Sequence, residues 1–176
     1  MMAIDTNQLA DKQADKQMPG QLASDVSPDA DVASGRRKIA WARANMPVLQ
    51  SMAAELSRKK PLQGLRIAIS VHVEAKTACL ALALAAGGAR VALTGCNPLS
   101  TQDDVAAALA ADGLAVYCRH GVDAADYRRH LLMALSIRPH IVIDDGGDLA
   151  QLLHSVAREE AAGLIGGCEE TTTGIQ

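Results

Sequence analysis

Polar side chains that could move protons or hold a ligand come directly after short apolar runs of the sequence. The fullest set is Asp144-Asp145-Gly146-Gly147-Asp148, which follows an apolar run ending at Ile143. Two adjacent carboxylates repel each other, and a dry site would raise the pKa of one of them, which suits proton transfer. Mg²⁺ also favours carboxylates, and a Gly-rich turn with Asp148 as helix cap would need the same residues. The run alone leaves these three interpretations open.

Four other apolar runs also end in polar residues. These ends are Val71-His72, Cys96-Asn97, Arg119-His120 and Glu169 to Thr173. The hydroxyls of Thr171, Thr172 and Thr173 could donate to a ribose or a phosphate, or the three residues could begin a helix. A lone histidine such as His72 is more often structural than catalytic. Loops and helix caps need polar residues in any case, so position alone does not establish function.

The segments that would position these residues alternate between strand and helix patterns. Short apolar runs predict strands over 65–71, 90–94, 114–118 and 140–143, with a short fifth strand over 162–165. Helical patterns cover 77–86, 102–111, 124–135 and 148–156, with Ser100 or Thr101 and Asp148 as caps, and a further helical region from Lys38 is interrupted at Pro47. This alternation predicts an α/β fold, a Rossmann-like three-layer parallel sheet with helices on both faces. Ligands bind such sheets at the carboxyl ends of the strands, where the polar residues gather.

Composition excludes several classes of function. The net charge is −3, with no basic cluster for nucleic acid or a membrane surface, and no apolar run could span a bilayer. The N-terminus lacks the pattern of a signal peptide, so we expect a cytoplasmic protein with reduced thiols. The four cysteines show no paired-ligand spacing, which predicts no metal site. Neither Gly-x-Gly-x-x-Gly nor a phosphate-binding loop is found, so this sheet carries no nucleotide fingerprint of its own.

The chain divides into a tail and one domain. Residues 1–30 are rich in Asp, Gln, Ser, Gly and Pro, a composition that predicts a disordered tail because it buries too little apolar surface. Residues 31–176 form the predicted domain. Its core lacks Phe, so Ala, Leu, Val and Ile must fill it and helices should approach the sheet closely.

Several motifs together resemble those of S-adenosyl-L-homocysteine hydrolases, from about residue 31 to the end. The resemblance is carried by Trp41-Ala42, Met46 to Leu49, His72 with Lys76-Thr77-Ala78, Cys96 to Asp103, Ile143 to Leu149 and Glu169 to Gly174. The motifs occur in family order and are specific in combination. The resemblance implies the substrate-binding domain, truncated before the NAD-binding domain.

The family reversibly hydrolyses S-adenosyl-L-homocysteine to adenosine and L-homocysteine with bound NAD, which oxidises the ribose 3′-hydroxyl so that the C4′ proton can be removed. By resemblance, His72 and Asp145 are the catalytic pair near C5′, where the thiol leaves and water adds. The resemblance assigns Glu74, Thr77, Asn97, Asp145 and Glu170 to substrate binding, and Thr171, Thr172 and Thr173 to NAD. Many members carry Thr and Glu where this chain has Glu74 and Lys76, which leaves the adenine contacts open.

The resemblance also implies what the 176 residues lack. Complete family members are homo-oligomers, and their later segments supply a Lys, an Asp-Asn pair and the Gly-rich NAD loop. We therefore expect a fragment that provides much of the substrate site and is inactive alone. The alternative is a non-catalytic adenosine-binding or interaction module derived from the same family.

Overall fold

A single parallel sheet forms the centre of the computed structural model, which describes residues 23–175. Its strands are β1 (Arg66–Ser70), β2 (Arg90–Thr94), β3 (Ala115–Tyr117), β4 (Ile141–Asp144) and β5 (Gly166–Glu169). They lie in the order β3-β2-β1-β4-β5, and every pairing is parallel. The predicted α/β fold with a Rossmann-like parallel sheet is confirmed.

Six helices surround the sheet. They are α1 (Val32–Ala44), α2 (Pro47–Lys59), α3 (Ala75–Ala86), α4 (Asp103–Ala111), α5 (Ala124–Leu135) and α6 (Asp148–His154), and short 3-10 turns span Pro98–Ser100, Arg158–Gly163 and Thr172–Ile175. Helices α1, α3 and α4 pack on one face, and α5 and α6 on the other. Pro47 occupies the first turn of α2, so the predicted break at this residue is confirmed as a boundary between two helices.

Alternation along the strands divides the core between the two faces. Ile67 and Ile69 of β1 point into the cluster formed with α1, α3 and α4, whereas Ala68 between them joins the cluster of α5 and α6. Small residues such as Ala78 of α3 and Ala106 of α4 are fully buried, so the helices approach the sheet closely. This packing fits a core that contains no Phe.

Three local predictions differ from the structure. The fifth strand covers Gly166–Glu169, not residues 162–165. Residues 158–163 form a 3-10 turn instead. The strand pairs with β4 through backbone hydrogen bonds, which Gly166 and Gly167 can make without an apolar side chain. Helix α4 is preceded by Gln102, and neither Ser100 nor Thr101 caps it. Asp148 is the first residue of α6 rather than its cap, a position that Gly147 takes in a left-handed conformation.

The chain at Ser24 and Asp25 lies against the edge strand β3. Asp25 forms a parallel bridge with Tyr117, donating its N–H to the carbonyl of Val116 at 2.8 Å and accepting from the N–H of Cys118 at 3.0 Å. Asp25, which lies within the tail predicted over residues 1–30, therefore gains backbone partners at the sheet edge. The rest of that prediction, on residues 1–22, lies outside the described residues.

None of the helices described between residues 23 and 175 is both long and apolar enough to cross a lipid bilayer.

Candidate functional site at the carboxyl edge of the sheet

The strand order places a crevice between the ends of β1 and β4. The chain runs outward from β1 through β2 to β3, then returns to the other side of β1 for β4 and β5. Connections from β1 and β4 therefore leave in opposite directions, and the gap between them is where open α/β sheets bind ligands. Ser70 pairs with Asp144 at the last rung, so His72 and Asp145 follow just beyond it.

Three side chains from three strand ends converge at this crevice. The Nε2 atom of His72 lies 3.5 Å from Oδ2 of Asp145, and the thiol of Cys96 donates to the same oxygen at 3.3 Å. The Asp145 side chain is 12% exposed and the His72 side chain 53% exposed. The pair expected from the family motifs is thus brought together, with Asp145 on the inner side and His72 open to solvent.

The imidazole of His72 is held by the turn that follows β2. Its Nδ1 lies 2.6 Å from Oγ of Ser100, and that hydroxyl donates to the carbonyl oxygen of Asn97 at 3.0 Å. The roles of the two ring nitrogens depend on the tautomer: when Nδ1–H donates to Ser100, Nε2 presents a lone pair, and when Ser100 donates to Nδ1, Nε2–H faces Asp145 as a donor.

The two adjacent carboxylates have different roles. Asp144 is buried, and it accepts from the backbone N–H of Ala150 at 3.0 Å and of Asp145 at 3.2 Å. Burial raises the pKa of Asp144 above its ordinary value, although these hydrogen bonds oppose the shift. The pKa rise that the sequence suggested for one of the pair therefore falls on the residue that holds the loop, while Asp145 faces His72.

The third carboxylate of the run also has its own partner. Asp148 accepts from the hydroxyl of Tyr127 at 2.5 Å, and the same hydroxyl lies 2.9 Å from the carbonyl oxygen of Cys96. Asp144, Asp145 and Asp148 thus point at three different partners and do not converge on one point. The arrangement does not support the magnesium interpretation of this run.

Glu169, which the sequence reasoning did not single out, shapes the loop beside Asp145. Its Oε1 accepts from the N–H of Gly146 at 2.7 Å and of Thr171 at 3.2 Å. A side chain at Gly174 would overlap the Glu169 carboxylate, so the segment after β5 lies tightly against it. The adjacency of Glu169 to Glu170 in the motif was the only signal available.

The other predicted residues lie on the same edge but do not join the cluster directly. Glu170 donates its N–H to the carbonyl oxygen of Asp144 at 2.9 Å, and its side chain is exposed. Glu74 precedes α3 and lies 3.5 Å from Nζ of Lys76, while Thr77 is half-buried in the first turn. The amide oxygen of Asn97 accepts from the N–H of Leu99 at 2.9 Å, and Thr172 and Thr173 are exposed.

Cys96 and Tyr127 are further site residues that the sequence did not assign. Burial and the hydrogen bond to Asp145 raise the pKa of the Cys96 thiol to about 12, so it is a protonated donor at neutral pH. Burial and the contact with Asp148 raise the pKa of Tyr127 as well. Cys96 lies 24 residues from His72 in sequence, so only the fold could reveal this contact.

Comparison with known proteins places these features in a family. The family model described as S-adenosyl-L-homocysteine hydrolase matches residues 25–175. The chain is 52% identical over 141 residues to the S-inosyl-L-homocysteine hydrolase of Methanocaldococcus jannaschii, a match covering 80% of this chain and 34% of that protein. It is 49% identical over 143 residues to the adenosylhomocysteinase of Thermotoga maritima, covering 81% and 35%. The chain spans about a third of the length of the curated relatives it matches.

Proposed function

The chain belongs to the S-adenosyl-L-homocysteine hydrolase family, and we propose that it supplies the substrate-binding part of an enzyme that reversibly hydrolyses S-adenosyl-L-homocysteine to adenosine and L-homocysteine. The observation that carries the proposal is the approach of His72 to Asp145 across the β1–β4 crevice. The 176 residues alone would bind the nucleoside but not turn it over. Because all four cysteines are free thiols, we assign the reaction to the cytoplasm. We also propose that the complete enzyme is a homo-oligomer.

Cleavage of a thioether at C5′ requires a proton for the departing sulfur and the removal of a proton from the incoming water. His72 and Asp145 are two groups of different exposure within 3.5 Å, so a proton received by one can be passed to the other. Asp145, held on the inner side by Cys96, positions the water. His72 exchanges its proton with solvent through its open side.

Substrate orientation falls to the residues around this pair. Glu170 follows β5 with an exposed carboxylate, which can accept hydrogen bonds from two ribose hydroxyls. Glu74 and Thr77 lie at the start of α3, and Asn97 follows β2, so these three would contact the base and the sugar from the opposite side. Binding through vicinal hydroxyls would fix C5′ relative to Asp145.

The segment after β5 offers features that fit one edge of NAD. An open cleft of about 500 Å³ beside α6 is lined by Gly147 and Thr173, among other residues. Gly146 adopts a positive φ angle, and no atom lies within 4 Å of the place where a Cβ would stand, so a ligand can approach its backbone closely, whereas Gly147 packs against Gly174. Thr171, Thr172 and Thr173 would contact the cofactor from the substrate side with their hydroxyls. When bound, NAD supplies the oxidation and later reduction of the ribose 3′-hydroxyl.

A second candidate substrate differs only at the base. Three relatives between 49% and 52% identical are named S-inosyl-L-homocysteine hydrolase, whereas the relatives from Thermotoga maritima and Pyrococcus abyssi are named adenosylhomocysteinase at 49%. Hypoxanthine carries a carbonyl oxygen where adenine carries an amino group. Glu74 would accept from the amino group and Lys76 would donate to the carbonyl, so this pair of residues is the feature to test.

Binding of nucleosides to the 176-residue chain tests the proposal. Titration with adenosine, inosine and S-adenosyl-L-homocysteine, followed by nuclear magnetic resonance, should show saturable binding at the crevice. Glu170→Gln removes a charged acceptor and should weaken binding about tenfold or more, which corresponds to one charge-assisted hydrogen bond. Glu159→Gln, in the turn at the opposite edge of the sheet, is the matched control.

Each outcome has a clear meaning. Preference for adenosine over inosine that is lost on Glu74→Gln supports the adenosyl substrate, and the reverse preference supports the inosyl substrate. A chain that binds no nucleoside favours the alternative of an interaction module. Equal weakening by Glu170→Gln and Glu159→Gln would contradict the assignment of the site to this edge.

A further inference from the structure

Three different metal-ligating atoms point to one place at the β1–β4 crevice. A ring nitrogen of His72, Sγ of Cys96 and a carboxylate oxygen of Asp145 all lie within 4.8 Å of one another, the only such group among residues 23–175. Two of the separations are 3.5 Å (His72 to Asp145) and 3.3 Å (Cys96 to Asp145). Ligands about 2.0–2.3 Å from a tetrahedral Zn²⁺ stand roughly 3.3–3.7 Å apart, so these two separations already fit.

The hydrogen bonds around His72 prepare it as a ligand. Nδ1 of His72 lies 2.6 Å from Oγ of Ser100, so in the tautomer in which Nδ1–H donates to this hydroxyl the lone pair of Nε2 is free to bind a metal. A histidine that binds a metal commonly donates its other ring N–H to a fixed acceptor in this way. In that tautomer Nε2 and the carboxylate of Asp145 are both acceptors, so a cation between them would satisfy both.

The donor set selects the kind of cation. A thiolate, an imidazole and a carboxylate match Zn²⁺, which is bound by S, N and O ligands, whereas Mg²⁺ prefers oxygen ligands alone. The backbone of Cys96 is also held in place, because the hydroxyl of Tyr127 donates to its carbonyl oxygen at 2.9 Å. Three protein ligands and an open side describe a zinc site that keeps one coordination position free.

We propose that His72, Cys96 and Asp145 bind Zn²⁺ as a three-ligand site whose fourth position opens into the crevice. Metal binding forms the Sγ–Zn bond and releases the thiol proton of Cys96 to solvent, with no change of oxidation state. The consequence for regulation rests on the proposed function: an ion held there occupies the acid–base pair and excludes the substrate. The free position would accept a water or a thiolate such as the homocysteine product.

Co²⁺ replaces Zn²⁺ as a spectroscopic probe of this site. Titration of the 176-residue chain should give one equivalent of bound Co²⁺, with an intense thiolate-to-cobalt charge-transfer band and the visible absorption of a tetrahedral ion. Cys96→Ser should abolish the charge-transfer band, and Asp145→Asn should weaken binding about ten- to a hundredfold. Zn²⁺ added afterwards should displace the cobalt and remove both absorptions.

Cys168→Ser is the matched control, because Cys168 is an exposed free thiol on β5. This variant should keep the full band. A band that is lost with Cys168→Ser and retained with Cys96→Ser would overturn the proposal, as would the absence of any band at millimolar Co²⁺. Circular dichroism checks that each variant is folded. If Cys96→Ser does not fold, Asp145→Asn serves as the test instead. An unchanged cobalt affinity in folded Asp145→Asn would then overturn the proposal.

Adenosine competition distinguishes this proposal from the proposed function. If cobalt binds as described and adenosine lowers its apparent affinity, both stand. If cobalt binds and adenosine at saturating concentration has no effect, the metal site stands and its link to substrate binding fails. If adenosine binds but no cobalt band forms, the proposed function stands without the metal site.

Discussion

At the scale of single residues, neighbouring positions in the chain acquire opposite roles from their surroundings. Asp144 ends β4 and turns its carboxylate to the backbone of the following loop, whereas Asp145 has left the strand and faces His72 and Cys96. The environment, not the residue type, thus separates a structural acid from a candidate catalytic acid. The same holds for Glu169, which organises a loop, and Glu170, which is exposed.

A second cluster of charges shows how a single residue can stabilise the domain. Asp25 accepts from Arg129 at 2.7 Å and from His130 at 3.2 Å, and Arg119 lies 3.3 Å away. Burial opposes its ionisation, but the hydrogen bonds from Arg129 and His130 and the charge of Arg119 outweigh burial and lower the pKa of Asp25. Burial lowers the pKa of His130 despite this contact, so His130 is a neutral donor.

Both shifts predict loss of stability in acid. A pKa lowered by folding stabilises the folded chain above the unfolded value, and this contribution is lost as the pH falls. Destabilisation should therefore begin as the pH falls below 6.5, the ordinary value for His130, and increase below 3.8, the ordinary value for Asp25. Urea unfolding across this pH range measures the effect.

The matched variants isolate Asp25 from the general effect of acid. Asp25→Asn should lower the free energy of unfolding at neutral pH by about 1–3 kcal/mol, since it removes a charged acceptor from three partners. The difference in the free energy of unfolding between Asp25→Asn and the parent should become smaller at low pH. Asp29→Asn, at an exposed position nearby, should have no such effect. Equal stability of Asp25→Asn and the parent at neutral pH would contradict the account.

At the scale of elements, the helices that cover the sheet depend on close backbone approach. Helix α1 meets the start of α4, where Ser34 donates to Asp104 at 2.8 Å and Lys38 forms an ion pair with it at 2.8 Å. Gly35 is buried between them, and an added Cβ would overlap the carbonyl oxygen of Asp104. The contact therefore depends on a glycine in the first turn of α1, although glycine is otherwise unfavourable within a helix.

This contact predicts that a better helix former destabilises the domain. Gly35→Ala should lower the free energy of unfolding by about 1–3 kcal/mol, because overpacking forces α1 away from α4. Ala40→Gln, at an exposed position of the same helix, should change it by less than about 0.5 kcal/mol. Thermal unfolding of the two variants makes the comparison. A more stable Gly35→Ala chain would show that α1 and α4 are not in such close contact.

The sequence predicted elements well where hydrophobic pattern and boundary residues agree. Strand β2 and helix α5 have the predicted bounds, and Pro47 separates two helices. Strand β5 was misplaced because Gly166 and Gly167 carry no apolar pattern, and their pairing with β4 is a matter of backbone hydrogen bonds. A hydrophobic pattern identifies strands whose side chains are buried, but it does not identify a strand that is held only by backbone hydrogen bonds.

At the scale of the whole molecule, one topological feature explains why distant motifs form one site. The order β3-β2-β1-β4-β5 brings the ends of β1, β2 and β4 together, so His72, Cys96 and Asp145 meet although 24 and 49 residues separate them. The resemblance to the family motifs predicted that His72 and Asp145 lie close together, and the strand order explains why they do. The inclusion of Cys96 was not predicted, because it depends on the direction of one side chain.

The most direct test places this segment in a complete enzyme. A chimera joins residues 1–176 to the C-terminal two thirds of the Thermotoga maritima relative, which is 49% identical over the matched region. Asp145→Asn keeps the shape of the side chain but removes its charge and its ability to accept the proton. The chimera should hydrolyse S-adenosyl-L-homocysteine, and Asp145→Asn should lower kcat by about 10²- to 10⁴-fold with a much smaller change in KM. Turnover within a few-fold of the unsubstituted chimera would show that Asp145 is a loop residue, and would contradict the assignment of chemistry to the His72–Asp145 pair.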